Sequence, residues 1–93
     1  MYQKKDYIFS ETFGVCRIED VTKLNRKNEE QRMYYVLKSI ETGKTSYIPV
    51  EGHKVLLRPL LTKEEAVEKR ETIDKEKQLL EWKEIEYVLS KEQ

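Results

Sequence analysis

The stretch that decides the fold runs from residue 33 to residue 61 and reads MYYVLKSIETGKTSYIPVEGHKVLLRPLL. It predicts two β-strands, over residues 32–41 and 44–50, joined by a tight turn at Thr42-Gly43. A second turn at Gly52 precedes a short strand over residues 55–57. Both faces of the strand over residues 32–41 are rich in apolar side chains, so we expect that strand to be central and covered on both sides.

Two further strands are predicted upstream, over residues 7–9 and 13–24, followed by a polar connection over residues 25–31. In the longer strand the side chains of Cys16 and Ile18 point to one face and those of the intervening residues to the other. Five short strands within the first 60 or so residues are typical of a small, strongly bent sheet, and we predict a Tudor/SH3-like barrel.

The composition changes after Leu61. All three glycines and both prolines lie before this point, whereas Glu and Lys dominate after it. Thr62 and Glu65 have the spacing of a capping box, which predicts a helix start. The fold class is therefore mainly β with C-terminal α, divided into a barrel (residues 1–61) and a helical extension (residues 62–93). The extension is either one long helix or two shorter helices with a hinge near Asp74.

Charge is balanced over the whole chain, with 18 Lys and Arg against 18 Asp and Glu. Residues 1–61 carry 11 basic against 8 acidic residues, a net charge of +3, and residues 62–93 carry 7 against 10, a net charge of −3. The two parts are therefore expected to attract each other. Neither is basic enough to indicate nucleic-acid binding by charge alone.

Membrane insertion and secretion are not indicated. The chain has no apolar run near the roughly 20 residues that a membrane span requires, and its first residues lack the apolar core of a signal peptide. A single cysteine excludes an internal disulfide. We therefore predict a cytoplasmic protein with no membrane partner.

Catalysis and metal binding are poorly supported, because the chain has one cysteine, Cys16, and one histidine, His53. A nucleophile needs a base held beside it, and Cys16 is predicted to lie in the core while His53 lies in a solvated turn. A structural zinc site needs four Cys or His ligands. No glycine-rich phosphate loop is present. We expect no catalytic residues, no metal and no cofactor.

The predicted fourth strand is the best candidate for a binding site. Pro49 cannot donate a ladder hydrogen bond, which indicates an edge strand. An edge strand offers free N–H and C=O groups to a strand of another protein. The competing interpretation is a short edge protected from pairing by Lys44. The candidate partner-binding residues are Lys44, Thr45, Ser46, Tyr47, Ile48 and Pro49.

Trp82 is the second feature with two interpretations. It stands in an apolar segment, residues 79–89, which contains seven apolar residues in eleven. Packing against the barrel or against a second copy of the chain is one role. The alternative is an aromatic wedge inserted between DNA base steps. Acidic neighbours repel phosphate and favour packing: Glu81, Glu84 and Glu86.

The order and spacing of several short motifs resemble those of the CarD/CdnL family, whose N-terminal module also occurs in the transcription-repair coupling factor. The similarity covers about residues 5–70. The matching residues are Asp6, Ile8-Phe9, Phe13-Gly14-Val15, Ile18, Tyr34-Tyr35-Val36-Leu37, Ile48-Pro49-Val50, Leu57-Arg58-Pro59 and Thr62-Lys63-Glu64-Glu65-Ala66.

This resemblance implies a Tudor-like barrel that binds the β subunit of bacterial RNA polymerase as a transcription regulator. In the family the contact uses a barrel strand, and Ser46-Tyr47-Ile48 matches it. The resemblance also implies a helical domain that touches promoter DNA, where Trp82 matches a wedge tryptophan. The sequence ends at Gln93, short of the family's complete helical domain, so we expect either a fragment with a truncated helical domain or a short variant without ordinary DNA contact. Promoter DNA is expected as a partner only if the helical domain is complete.

The chain departs from the family pattern at a few positions. Lys5 stands where the family usually has glycine, and Ser10-Glu11 where it usually has Tyr-Pro. Tyr47 replaces a cationic residue that some members carry on the docking strand. The alternative function is a structural module that dimerises through the apolar helix over residues 79–89, so the expected state is a monomer or a weak homodimer.

Overall fold

The computed structural model describes residues 2–24 and 32–91. The predicted polar connection over residues 25–31 lies outside them. The described chain forms five strands followed by two helices: β1 (Tyr7–Ser10), β2 (Gly14–Leu24), β3 (Arg32–Ser39), β4 (Thr45–Pro49), β5 (Leu57–Pro59), α1 (Lys63–Thr72) and α2 (Leu79–Ser90).

The strands form one antiparallel sheet in the order β4-β3-β2-β1-β5. The predicted fold class, a bent five-stranded sheet of the Tudor kind followed by helices, is confirmed. The predicted fifth strand was placed two residues too early, at residues 55–57. Its position is set by pairing with β1, where Phe9 lies opposite Arg58 and Ser10 opposite Leu57. Such long-range pairing overrides local strand propensity.

The inner face of the sheet carries the barrel core. Its largest buried side chains are Ile8, Cys16, Ile18, Tyr35, Leu37 and Ile48. Phe9 and Val15 are also buried but alternate to the outer face, where they lie opposite each other in the β1–β2 register. This outer face is covered by α2 over β1 and β2 only. The sheet therefore has two apolar contacts, one inside the barrel and one beneath the helix.

The prediction that the third strand is covered on both sides is wrong. Tyr35 and Leu37 are buried on the inner face of β3, but on the outer face Lys38 is exposed and Val36 is only half-buried. The physical reason is that α2 packs beside β1 and β2 and does not extend over β3. The outer faces of β3 and β4 remain open.

Side-chain hydrogen bonds to backbone N–H groups mark the start of α1 and the turn between α1 and α2. The capping box is present: the Thr62 hydroxyl accepts the Glu65 N–H at 3.2 Å, and the Glu65 carboxylate accepts the Thr62 N–H at 2.9 Å. The bonds with Thr62 hold the pKa of the Glu65 carboxyl below its usual value. Near the predicted hinge, the Asp74 carboxylate accepts the N–H groups of Glu76 and Lys77 and closes a turn, so the extension is two helices.

No helix in the described part of the chain is long and apolar enough to cross a membrane.

Gly14, at the start of β2, is required by both its backbone and its surroundings. Its φ angle is +78°, and a Cβ placed there would lie 3.1 Å from the Leu80 side chain of α2. Gly43, in the turn between β3 and β4, has a similar φ angle of +75° but nothing within 4 Å of its Cβ position. A comparison of substitutions at the two glycines therefore separates the effect of backbone strain from the effect of close packing.

We predict that Gly14→Ala lowers the free energy of unfolding more than Gly43→Ala does. The left-handed backbone costs roughly 1–2 kcal/mol for an alanine at either position. Overpacking against Leu80 adds about 1 kcal/mol or more at position 14 only. Urea denaturation of both variants measures the difference, and equal losses would contradict the close packing of α2 on Gly14.

Lys5 is the single non-glycine residue with a positive φ angle in the described chain, at +79°. Its N–H donates to the Ile18 carbonyl at 2.7 Å, which ties the segment before β1 to β2. This is the position at which the chain departs from the glycine usual in the family it resembles. The left-handed backbone explains why glycine suits the position.

We predict that Lys5→Gly raises the free energy of unfolding by about 1 kcal/mol, because it relieves the left-handed strain. The matched control is Lys4→Gly, at a neighbouring exposed residue without positive φ, which should be neutral or slightly destabilising. Thermal and urea denaturation provide the comparison. Equal effects of the two substitutions would show that no strain is stored at Lys5.

Candidate protein-protein interaction site

Strand β4 is an outermost strand, and β3 is its only neighbour among the described strands. The hydrogen bonds at its two ends define which residues face β3. The Lys44 carbonyl accepts from the Ser39 N–H at 2.9 Å, and the Val50 N–H donates to the Met33 carbonyl at 3.0 Å. Even-numbered residues therefore direct their main-chain groups toward β3.

The odd-numbered residues of β4 direct their main-chain groups outward, since the direction alternates along an antiparallel ladder. The register between β3 and β4 is continuous, so the alternation holds throughout. Ser46 and Ile48 are bonded toward β3, while Thr45 and Tyr47 present N–H and C=O groups at the open edge. Pro49, the last residue of the strand, has no N–H to offer.

The side chains of β4 also alternate. Ile48 is buried in the barrel core at 5% exposure, and Ser46 on the same face is half-buried. Tyr47 points to the outer face and is 56% exposed, beside Val36 of β3 in the register. The edge thus combines free main-chain groups with an exposed aromatic side chain.

A groove of about 460 Å³ lies beside the first half of β4. Ser46 lines one side, Phe13 and Leu37 contribute apolar surface, and Leu80 and Lys83 of α2 line the other side. The barrel and the helical extension therefore build this groove jointly.

An ion pair joins the helical extension to the turn that precedes β4. The Lys83 ammonium contacts the Glu41 carboxylate, and both side chains are largely exposed. Exposed pairs of this kind contribute little to stability.

A stronger contact holds α2 against β5. The Arg58 guanidinium donates two hydrogen bonds to the Glu84 carboxylate, at 2.7 and 2.6 Å, and the Leu61 N–H donates a third at 3.0 Å. Glu84 is fully buried at 0% exposure. The hydrogen bond with Glu84 raises the pKa of Arg58 above its usual value, so Arg58 keeps its positive charge. The guanidinium also lies 4.2 Å from the centre of the Phe9 ring.

Trp82 is half-buried in α2. Its Nε1 atom is buried and has no hydrogen-bond partner among the described residues, and the Lys75 ammonium lies 5.3 Å from the ring centre. Ile85 of the same apolar segment is fully buried within the monomer, whereas Leu79 is 47% exposed. The burial of Trp82 supports the packing role over an exposed DNA wedge.

The surroundings of Cys16 and His53 are typical of structural residues rather than of catalytic ones. Burial raises the pKa of the Cys16 thiol to about 11, so the thiol is neutral at physiological pH and a poor nucleophile. His53 is half-buried rather than solvated, and its Nδ1 atom lies 2.7 Å from the Val55 carbonyl oxygen. The described residues contain no group of three or more side chains placed to hold a metal ion.

Sequence reasoning missed the role of Glu84 and interpreted it only as an acidic neighbour of Trp82. A signal was present, because Glu84 lies within the apolar segment 79–89 and a lone carboxylate among apolar residues needs a buried partner. The partner, Arg58, was visible only as part of the Leu57-Arg58-Pro59 motif. Its pairing with a residue 26 positions away depends on how α2 crosses the sheet.

A small bent β-sheet with an open outermost strand at one edge and helices held at the other is an architecture that suits an interaction module. A family profile, described as the CarD-like/TRCF RID domain, matches residues 2–61, well over half of the chain. The chain belongs to this family. It is an RNA polymerase-interacting module of the transcription machinery, and the family is an interaction domain rather than a catalytic one.

Comparisons with curated proteins and with solved structures found no match.

We predict that Glu84→Gln lowers the free energy of unfolding by about 2 kcal/mol, because it removes the counter-charge of the Arg58 guanidinium and weakens the hydrogen bonds made at the fully buried position 84. The matched control is Glu41→Gln, which breaks the exposed pair with Lys83 and should change stability by less than about 0.5 kcal/mol. Urea denaturation measures both. Similar small effects would mean that the Arg58–Glu84 contact is not what holds α2.

Proposed function

We propose that this protein is a bacterial, cytoplasmic transcription regulator that docks onto the β subunit of RNA polymerase by pairing β4 with a strand of that subunit. The observation that carries the proposal is the outward direction of the Thr45 and Tyr47 main-chain groups on an outermost strand. Strand addition uses main-chain hydrogen bonds for affinity and neighbouring side chains for specificity. Membership of an RNA polymerase-interacting family agrees with this use of the edge.

The residues that we assign to the dock are those predicted from the sequence, with distinct roles. Thr45 and Tyr47 supply main-chain hydrogen bonds, and the exposed Tyr47 ring supplies a side-chain contact. The buried Ile48 side chain holds the strand to the core. Pro49 has no backbone N–H and therefore provides no donor at the end of the strand. Lys44 immediately precedes the strand and lines the groove together with Ser46.

The division of labour between barrel and extension follows from the sheet order. The barrel (residues 1–61) carries the dock on β4, and the extension (residues 62–93) is held at β5, the opposite edge. Docking through β4 therefore does not require α2 to move.

Dimerisation through residues 79–89 is the less favoured function, because Ile85 and much of Trp82 are already buried within a single chain. Contact with promoter DNA is not part of the proposal, since Trp82 is not exposed as a wedge.

We predict that Tyr47→Pro abolishes measurable binding to the isolated β subunit. Proline removes the outward N–H at position 47 and leaves the bonds from β4 to β3 in place, because edge strands tolerate proline where the N–H faces solvent. The matched control is Tyr47→Val, which removes the ring but keeps the N–H and should retain part of the affinity. Binding is measured by fluorescence anisotropy with the full chain.

Circular dichroism and thermal unfolding of both variants check that the barrel is intact. If Tyr47→Pro is folded and binds the β subunit as tightly as Tyr47→Val, strand addition along β4 is wrong. Sedimentation at several concentrations addresses the alternative, and a dimer that dissociates on Leu79→Glu would favour it.

A further inference from the structure

The groove beside β4 restricts which side chain a strand added at this edge can place next to Ser46. Ser46 lies on the same face of the sheet as Leu37, its opposite residue on β3, and is the small residue of that row. Side chains directly opposite each other in a sheet share a face, so a residue of an added strand next to Ser46 points to the groove side. The groove of about 460 Å³ begins at this position.

We propose that the β-subunit strand that pairs with β4 places a large apolar side chain next to Ser46, in the groove between the barrel and α2. This inference rests on the proposed strand addition and specifies the partner further. It also assigns to α2 a part in docking, because Leu80 of α2 lines the same groove as Ser46.

The chemistry of the groove selects the side chain. Phe13 and Leu80 contribute apolar surface, while Lys83 and Glu41, which form an ion pair, also line the groove. A small or polar residue beside Ser46 would leave this apolar surface exposed to water, whereas a large apolar one buries it. The small size of Ser46 is what keeps the entrance open.

The experiment fills the entrance without touching the main-chain bonds. Ser46→Leu should weaken binding of the full chain to the isolated β subunit by about tenfold or more, because the new side chain occupies the space of the partner's. Ser46→Ala keeps the entrance open and should bind within about twofold of the original chain.

Thermal unfolding of both variants checks that the barrel remains folded. Binding by Ser46→Leu that equals or exceeds that of Ser46→Ala overturns the inference, and if Tyr47→Pro still abolishes binding, the strand dock itself stands. Retained binding by Tyr47→Pro removes the dock and the groove proposal together.

As a second probe of the helical wall, Leu80→Gln introduces a polar group into the groove, with Leu80→Met as the volume-conserving control. A loss of affinity confined to Leu80→Gln, with both variants folded, supports a contribution of α2 to docking. Equal affinities of the two variants would remove α2 from the interface.

Discussion

The helical extension depends on one buried carboxylate. Glu84 lies at 0% exposure, and a charge in that position is tolerated only when it is fully paired. Two hydrogen bonds from Arg58 and one from the Leu61 N–H satisfy it. Because Arg58 belongs to β5 and its guanidinium also lies over the Phe9 ring, the contact fixes the helix on the outer face of the sheet. The close approach of Leu80 to Gly14 follows from the same placement.

This placement gives the two edges of the sheet different roles. The β5 edge is held by the helical extension through Arg58, while the β4 edge keeps its outward main-chain groups. Since α2 stops short of β3 on the outer face, Tyr47 and the surface around it stay open to a partner. The helix still reaches the mouth of the barrel, where Leu80 and Lys83 line the groove beside Ser46. A docking partner would therefore meet both the strand and the helix.

Several parts of the fold and of the candidate site followed from local pattern. The number and order of the strands, the capping box at Thr62 and the edge position of β4 were predicted, because glycine turns, side-chain alternation and the missing N–H of Pro49 act within a few residues. The position of β5 was not, since pairing with β1 decides it. Nor was the exposed outer face of β3, because its coverage depends on how far α2 extends across the sheet.

The sequence by itself determined a five-stranded sheet followed by helices, an edge strand within residues 44–50 and membership of a family, since each is encoded in local residue order. Only the tertiary structure decided that Glu84 is buried, that Thr45 and Tyr47 rather than Ser46 and Ile48 face outward, and that a groove opens between Ser46 and Leu80. The physical reason is that each depends on strand register or on the crossing of a helix over the sheet. Both are set by contacts between residues far apart in the chain.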